Sequence, residues 1–259
     1  MKSRFPRVIG LATALIVLMN ASSAMQPQTS GKTKPSCARS LADCANEGCG
    51  TNFDPKLNLV KNITTVPGDP TPRSITWMQK LDDPDNFAQG DDRTELQQLG
   101  EGGNIVVVAY MIAVRKELSG ESCNCYLHTE KETDNHLVLV KKSIVDQMPL
   151  SGNTRAEITA TEKQREAQST TAEFTPRVRR DHPDFTYETM QPLIDATPQK
   201  ALWVRVTGQL MFDSEHFLHN HLDRVNNWEI HPVVKMEYCT TGSNCAIGSD
   251  TGWKSIDEP

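Results

Sequence analysis

Several signatures of known chemistry are missing from this chain. It has no P-loop, no G-x-S-x-G nucleophile elbow, no H-E-x-x-H metal helix and no dinucleotide fingerprint. None of its seven cysteines forms a C-x-x-C pair, and none sits in a recognisable nucleophile motif. Nor is there a broad basic face. The net charge is −6, and the one basic cluster, Arg177, Arg179 and Arg180, lies in a proline-flanked stretch that reads as a solvated loop. Nucleic acid is therefore a disfavoured partner on charge. Aromatic residues make up only 6% of the chain, so its core must be mostly aliphatic. Long apolar runs are also absent. The longest, Val8 to Met19, has 12 residues, too few to span a bilayer comfortably.

That short run has the setting of a secretory signal peptide. Lys2, Arg4 and Arg7 precede it, and the small residues of ASSA (21–24) follow it. We read residues 1–24 as a leader cut after Ala24, with an uncleaved anchor as the alternative. Its loss removes three positive charges and no negative one, leaving −9. The expected location is periplasmic or extracellular. Export makes disulfides the default reading for Cys37, Cys44, Cys49, Cys123, Cys125, Cys239 and Cys245. Cys239 and Cys245 suit a short C-terminal loop, Cys123 and Cys125 alternate along a supposed strand, and one thiol is left over. A zinc site is the alternative use of these cysteines.

The rest of the chain divides into a cysteine-containing N-terminal extension (25–100, partly disordered), a barrel domain (101–245) and a tail (246–259). In the extension, Asp54-Pro55 starts a helix carrying Leu57 and Val60. In the domain, IVVVAYMIAVRKE (105–117) is a long, bent first strand. CNCYLHTEKETDNHLVLVKKS is a second strand, interrupted and resuming at His136, and RAEITAT (155–161) is a short third strand. The following EKQREAQSTTAEFTPRVRRDHP reads as loop, and DFTYETMQPLIDAT as a helix weakened by Pro192. ALWVRVTGQLMFD and WEIHPVVKMEYC alternate cleanly as the fourth and fifth strands, with a bulge or bend expected at Gly208. The order β-β-β-α-β-β is that of an OB-like five-stranded barrel. Another small barrel or an α+β sandwich is the rival.

FDSEHFLHNHLDRVNNWEIHPV, from Phe212 to Val233, holds four of the seven histidines. In an OB barrel this is the loop between strands four and five, one of the places where such barrels bind ligands. Asp213 ends strand four, and Glu229 and His231 share a face of strand five. The candidate ligand-binding residues are Asp213, His216, Glu229, His231 and His136, with His216, His231 and Asp213 as candidate metal ligands.

The blocks VRVTGQLMFDSEH, NNWEIHPV, NHLVL and GCGTNFDPKLNLVKN resemble an uncharacterised family of exported bacterial proteins with F-D-x-x-H and E-(I/L)-H-P-V motifs. The resemblance implies that Asp213, His216, Glu229, His231 and His136 are marked positions, together with a short strand bearing a Glu, matched here to Glu157. It implies no activity. Many relatives have a shorter H-G-Q loop, so His219 and His221 are not carried over.

Three readings remain open. In the first the protein is a binding module for a small ligand, glycan or peptide, with outward-facing Trp203 available to stack. In the second a divalent metal ion held by His, Asp and Glu activates water in a phosphodiesterase-like or nuclease-like hydrolase. In the third the polar residues only lock a barrel corner.

Overall fold

A computed structural model of the protein describes residues 36–51, 53–84, 86–152, 154–216 and 224–257. The expected leader, the polar stretch 25–35, His219 and His221 lie outside the described residues. No described helix is long and apolar enough to cross a membrane.

The extension begins with a cysteine-bearing segment and then α1 (Pro55–Lys61). The carboxylate of Asp54 accepts the backbone N–H groups of Lys56 and Leu57, and Pro55 occupies the first turn, where its missing N–H costs nothing. There follow β1 (Thr71–Ser74), α2 (Ile75–Met78) and α3 (Thr94–Gln98). Next come β2 (Asn104–Lys116), β3 (Asn135–Val140), α4 (Lys142–Gln147), α5 (Arg155–Glu166) and β4 (Thr170–Phe174). The chain ends with α6 (Tyr187–Asp195), β5 (Leu202–Phe212), β6 (Trp228–Cys239) and β7 (Trp253–Ser255).

The long β2 makes closure possible. Its first half pairs with β5 and its second half with β3, and a register shift between Met111 and Ala113 bends it from one partner to the other. The ring runs β2-β3-β4-β6-β5 and back to β2. Every pairing is antiparallel except β4 with β6, which meet in parallel at Ala172 and Ile230. This is the Greek-key closure of an OB barrel. β1 lies parallel to β2, and β7 lies antiparallel to β6, both outside the ring. On β5 the inward residues alternate as expected, with Val204, Val206, Leu210 and Phe212 buried; on β6 the register shift opposite Gly208 breaks the alternation, so Ile230, Val233 and Met236 are the fully buried residues and Val234, expected inward, is only partly buried. From α6, Met190 and Ile194 join the same core, and the helix runs through Pro192.

Two elements differ from the sequence reading. RAEITAT is helical: it lies in α5, and Thr154 and Glu157 form a reciprocal capping box at its start. The third barrel strand is TTAEF (170–174), inside the stretch expected to be loop. It contributes only Ala172 and Phe174 as apolar core residues, too few to produce a visible alternation. Nor do Cys123 and Cys125 lie on a strand. Residues 122–124 form a 3-10 turn, and Cys125 is left-handed at φ 53°. The cysteines pair as Cys37–Cys49, Cys44–Cys125 and Cys239–Cys245, with Cys123 a buried free thiol. Cys44–Cys125 ties the extension to the loop after β2.

Gly208 sits where the β5–β6 register shifts on both sides. A Cβ there would collide with the Pro232 carbonyl oxygen and crowd Ile230. Gly208→Ala is expected to cost about 1–3 kcal/mol by overpacking, read as a lower denaturation midpoint with an unchanged slope.

Candidate functional site

Sheet geometry brings polar residues from three neighbouring strands into one row on the outer face of the barrel. Successive side chains on a strand point to opposite faces. On β6, Trp228 and Ile230 therefore point inward, and Glu229 and His231 point outward. The parallel β4 places Glu173 beside them, and on β3 His136 lies opposite Glu173. The row is roofed by the extension. Gln209 ties α1 to β6 by donating to the carbonyls of Val60 and His231, and Asn62 donates to the Cys123 carbonyl. His231 is left with zero exposure, and Asp134, Glu173 and Glu229 are nearly as buried.

One half of this layer is a closed corner. Arg224, itself buried, reaches Asp213 at 2.9 Å with Nη2 and Glu229 with Nη1. Asp213 also accepts the backbone N–H groups of Glu215 and His216, and its Oδ2 lies 3.1 Å from His216 Nδ1. Burial works against a charged Asp213, but His216, Lys61 and Arg224 outweigh it and hold the carboxyl well below its usual range. The hydrogen bond that the His216 ring donates to Asp213 lifts the half-exposed imidazole to about 9.

The other half centres on His231. Its Nδ1 is 3.1 Å from Glu173 Oε2 and 3.6 Å from Glu229 Oε2, and its Nε2 is 3.9 Å from Asp134 Oδ2. His136 Nε2 stands 3.4 Å from the other Glu173 oxygen. Burial opposes a charged His231, but Glu173 and Glu229 lift it to about 10. Burial also opposes a charged Glu173, yet His136 and His231 hold it well below the usual carboxylate range. At Asp134, burial, then Glu121 and Glu173, push the carboxyl up to about 7, and the opposing His231 and Lys61 are outweighed. Beside this group, buried Lys61 reaches Glu121 at 2.8 Å, and the Cys123 thiol lies 3.3 Å from the same oxygen, Glu121 Oε2.

The expected residues thus share one layer, but not as one ligand set. Asp213 and His231 are joined through Arg224 and Glu229. His216 stands at the Asp213 end, away from His231. Among the described residues, two groups with ligand atoms within 4.8 Å of one another are Glu121–Cys123–Asp134 and Asp134–Glu173–His231. A third group, Cys37–Cys49–Cys125, is spent in disulfides. Asp213 and His216 belong to none of these groups. Glu157 caps α5 and is not on a strand; the short strand with a Glu is β4, and its residue is Glu173. Glu173, Asp134, Glu121, Lys61 and Arg224 were missed in the sequence. Only Arg224, set between Asp213 and Glu229 in the chain, had a local signal. Trp203 stacks edge-on against Tyr110 and donates to the Cys245 carbonyl, so it packs beneath the C-terminal segment.

A cleft of about 460 Å³ opens over this layer, with His136, Glu173, Asp213, His216 and Arg224 in its lining. Strands β3 and β4 form its floor, and the segments after β2 and β5 flank it. Comparison with family models, curated proteins and solved structures returned no match.

Arg224→Ala would leave two buried carboxylates without their shared cation. It is expected to cost about 3–5 kcal/mol of stability, read by urea denaturation. His216 provides a pH test. Its folded value lies above its unfolded one, so its pairing with Asp213 stabilises fully below about 6.5 and is lost as pH rises through about 9. In an NMR titration the His216 ring should have its midpoint near 9, and Asp213→Asn should return it toward the ordinary histidine range.

Proposed function

We propose that the protein is an exported binding module whose ligand occupies the cleft over β3 and β4. One observation carries this reading. The cleft lies where OB barrels hold ligands, on the face of the second and third barrel strands between the first and last connecting loops. The three disulfide pairings support export. The blocks around Asp213 and His231 support membership of the exported bacterial family they resemble.

The lining points to a ligand class. The cleft presents Glu121, Glu173 and Asp213 together with Arg115, Lys116 and His216, so both charge signs meet there. No Trp, Tyr or Phe lines it among the described residues, so the ring faces of that described lining are the imidazoles of His136 and His216. A short peptide with a free ammonium and a free carboxylate matches this chemistry better than a glycan or a nucleotide. Metal-assisted hydrolysis is the second reading, and the Asp134–Glu173–His231 group is what favours it.

The test is calorimetry with three probe sets: tripeptides with free or blocked termini, neutral oligosaccharides, and mononucleotides. Free tripeptides are expected to bind and blocked ones to bind more weakly. Thr171→Trp, which fills the cleft from β4, is expected to abolish the signal while leaving the unliganded melting temperature in place. Preferential binding of sugars or nucleotides would overturn the ligand class. Peptide binding that ignores Thr171→Trp, or no binding by any probe set, would overturn the site.

A further inference from the structure

We propose that Asp134, Glu173 and His231 form a binding site for one divalent transition-metal ion of the zinc class, buried beneath the cleft floor and sharing Glu173 with the cleft lining.

The first support is donor geometry. One ligand atom from each residue lies within 4.8 Å of the others. Bonds of about 2.0–2.2 Å to tetrahedral zinc place neighbouring donors roughly 3.3–3.5 Å apart. His231 Nδ1 lies 3.1 Å from Glu173 and Nε2 lies 3.9 Å from Asp134; an ion takes one of these two nitrogens, so one of the two spacings belongs to its donor set and the other carboxylate closes in from within the same 4.8 Å. One imidazole nitrogen and two carboxylates are a zinc-type donor set, and a fourth position remains for water.

The second support is independent of the spacing and comes from the hydrogen bonds. Each carboxylate around His231 has one oxygen without a hydrogen bond. Asp134 Oδ1 accepts from Asn124, and Glu173 Oε1 has only a 3.4 Å ion-pair contact with His136 Nε2, which itself makes no hydrogen bond. A fourth residue, Glu229, gives one oxygen to Arg224. The other oxygens, Asp134 Oδ2, Glu173 Oε2 and Glu229 Oε2, make no hydrogen bond, and neither does either ring nitrogen of His231. Buried polar atoms are ordinarily paired. Here five such atoms from side chains at most 4% exposed surround one imidazole, with Glu173 and Glu229 on its Nδ1 side and Asp134 on its Nε2 side. An anchored oxygen beside a free one is also how outer-shell partners orient metal-binding carboxylates.

The layer buries the carboxylates of Asp134, Glu121, Glu173, Glu229 and Asp213, and its cations are Lys61, Arg224 and, when protonated, His136 and His231, both facing Glu173. Lys61 is engaged by Glu121, and Arg224 by Asp213 and Glu229, so neither pairs with Asp134 or Glu173. The neighbouring Glu121–Cys123–Asp134 group is the weaker candidate, because the Lys61 ammonium already occupies its Glu121 oxygen. Glu173 and Glu121 also line the cleft, which gives an ion a route from solvent.

The test uses the full chain, stripped with chelator and titrated with Co²⁺ and then Zn²⁺. The expected result is one ion per chain, with a visible ligand-field band on Co²⁺ binding that Zn²⁺ displaces. Asp134→Asn and Glu173→Gln are expected to abolish the band while circular dichroism stays native. Asn124→Ala, which frees Asp134 Oδ1, is expected to weaken binding roughly 10–100-fold. His216→Ala is expected to leave binding intact. Folded protein that binds neither ion, binding that survives both Asp134→Asn and Glu173→Gln, or binding lost in His216→Ala would each overturn the proposal.

Discussion

The parallel meeting of β4 and β6 is the contact on which the rest of the site depends. It closes the barrel at Ala172 and Ile230, and the same register puts Glu173 beside Glu229 and His231 on the outside. A one-residue slip would turn these three charged groups into the core and expose Phe174 and Ile230, an exchange far too costly to occur. The apolar interior therefore positions the polar exterior. Core packing fixes the register, and the register aims the carboxylates.

The extension completes what closure begins. Without its cover, Glu173, Glu229 and His231 would lie on a hydrated sheet face, and their interactions would be weak. α1 and the 3-10 turn at 122–124 remove that water. They bring Lys61, Glu121 and Asp134 with them, held in place by Asn58, Asn62 and the Cys44–Cys125 bridge. Low local polarity then strengthens every charge–charge contact in the layer. It also explains why Glu173 and Asp134, two carboxyls in the same layer, are driven in opposite directions: Glu173 has two imidazoles against it, and Asp134 has mainly other carboxylates.

Much of the barrel was legible because it rests on local pattern. β5 shows clean alternation, Gly208 marks a real irregularity, Asp54-Pro55 starts a real helix, and Cys239 and Cys245 close the loop their spacing suggests. β4 was hidden because it has five residues, and its outward Glu173 reads as polar loop. α5 reads as a strand in RAEITAT, although Thr154-x-x-Glu157 carries a helix-start signal. At the site, the residues found were those near the conspicuous histidines. Lys61, Glu121 and Asp134 were invisible because a charged residue on a short helix or in a run such as TEKETDN looks solvated. Only the tertiary cover makes it buried, and no local pattern encodes that cover.

The two halves of the layer are not equivalent, and the difference bears on what each is for. Around Arg224 the guanidinium is matched by Asp213, Glu229 and the His216 carbonyl, so its charge is neutralised within the protein. That half fits the reading of a polar corner that joins the β5–β6 connection to the barrel. Around His231 no such closure exists, and buried oxygens and nitrogens face one another without hydrogen bonds. Apolar side chains of similar volume would usually serve stability as well or better than buried charges. A corner therefore accounts for Asp213 and Glu229, and it leaves Asp134 and Glu173 each with a buried oxygen that makes no hydrogen bond. The two halves meet at Glu229, which gives one oxygen to the corner and turns the other toward His231.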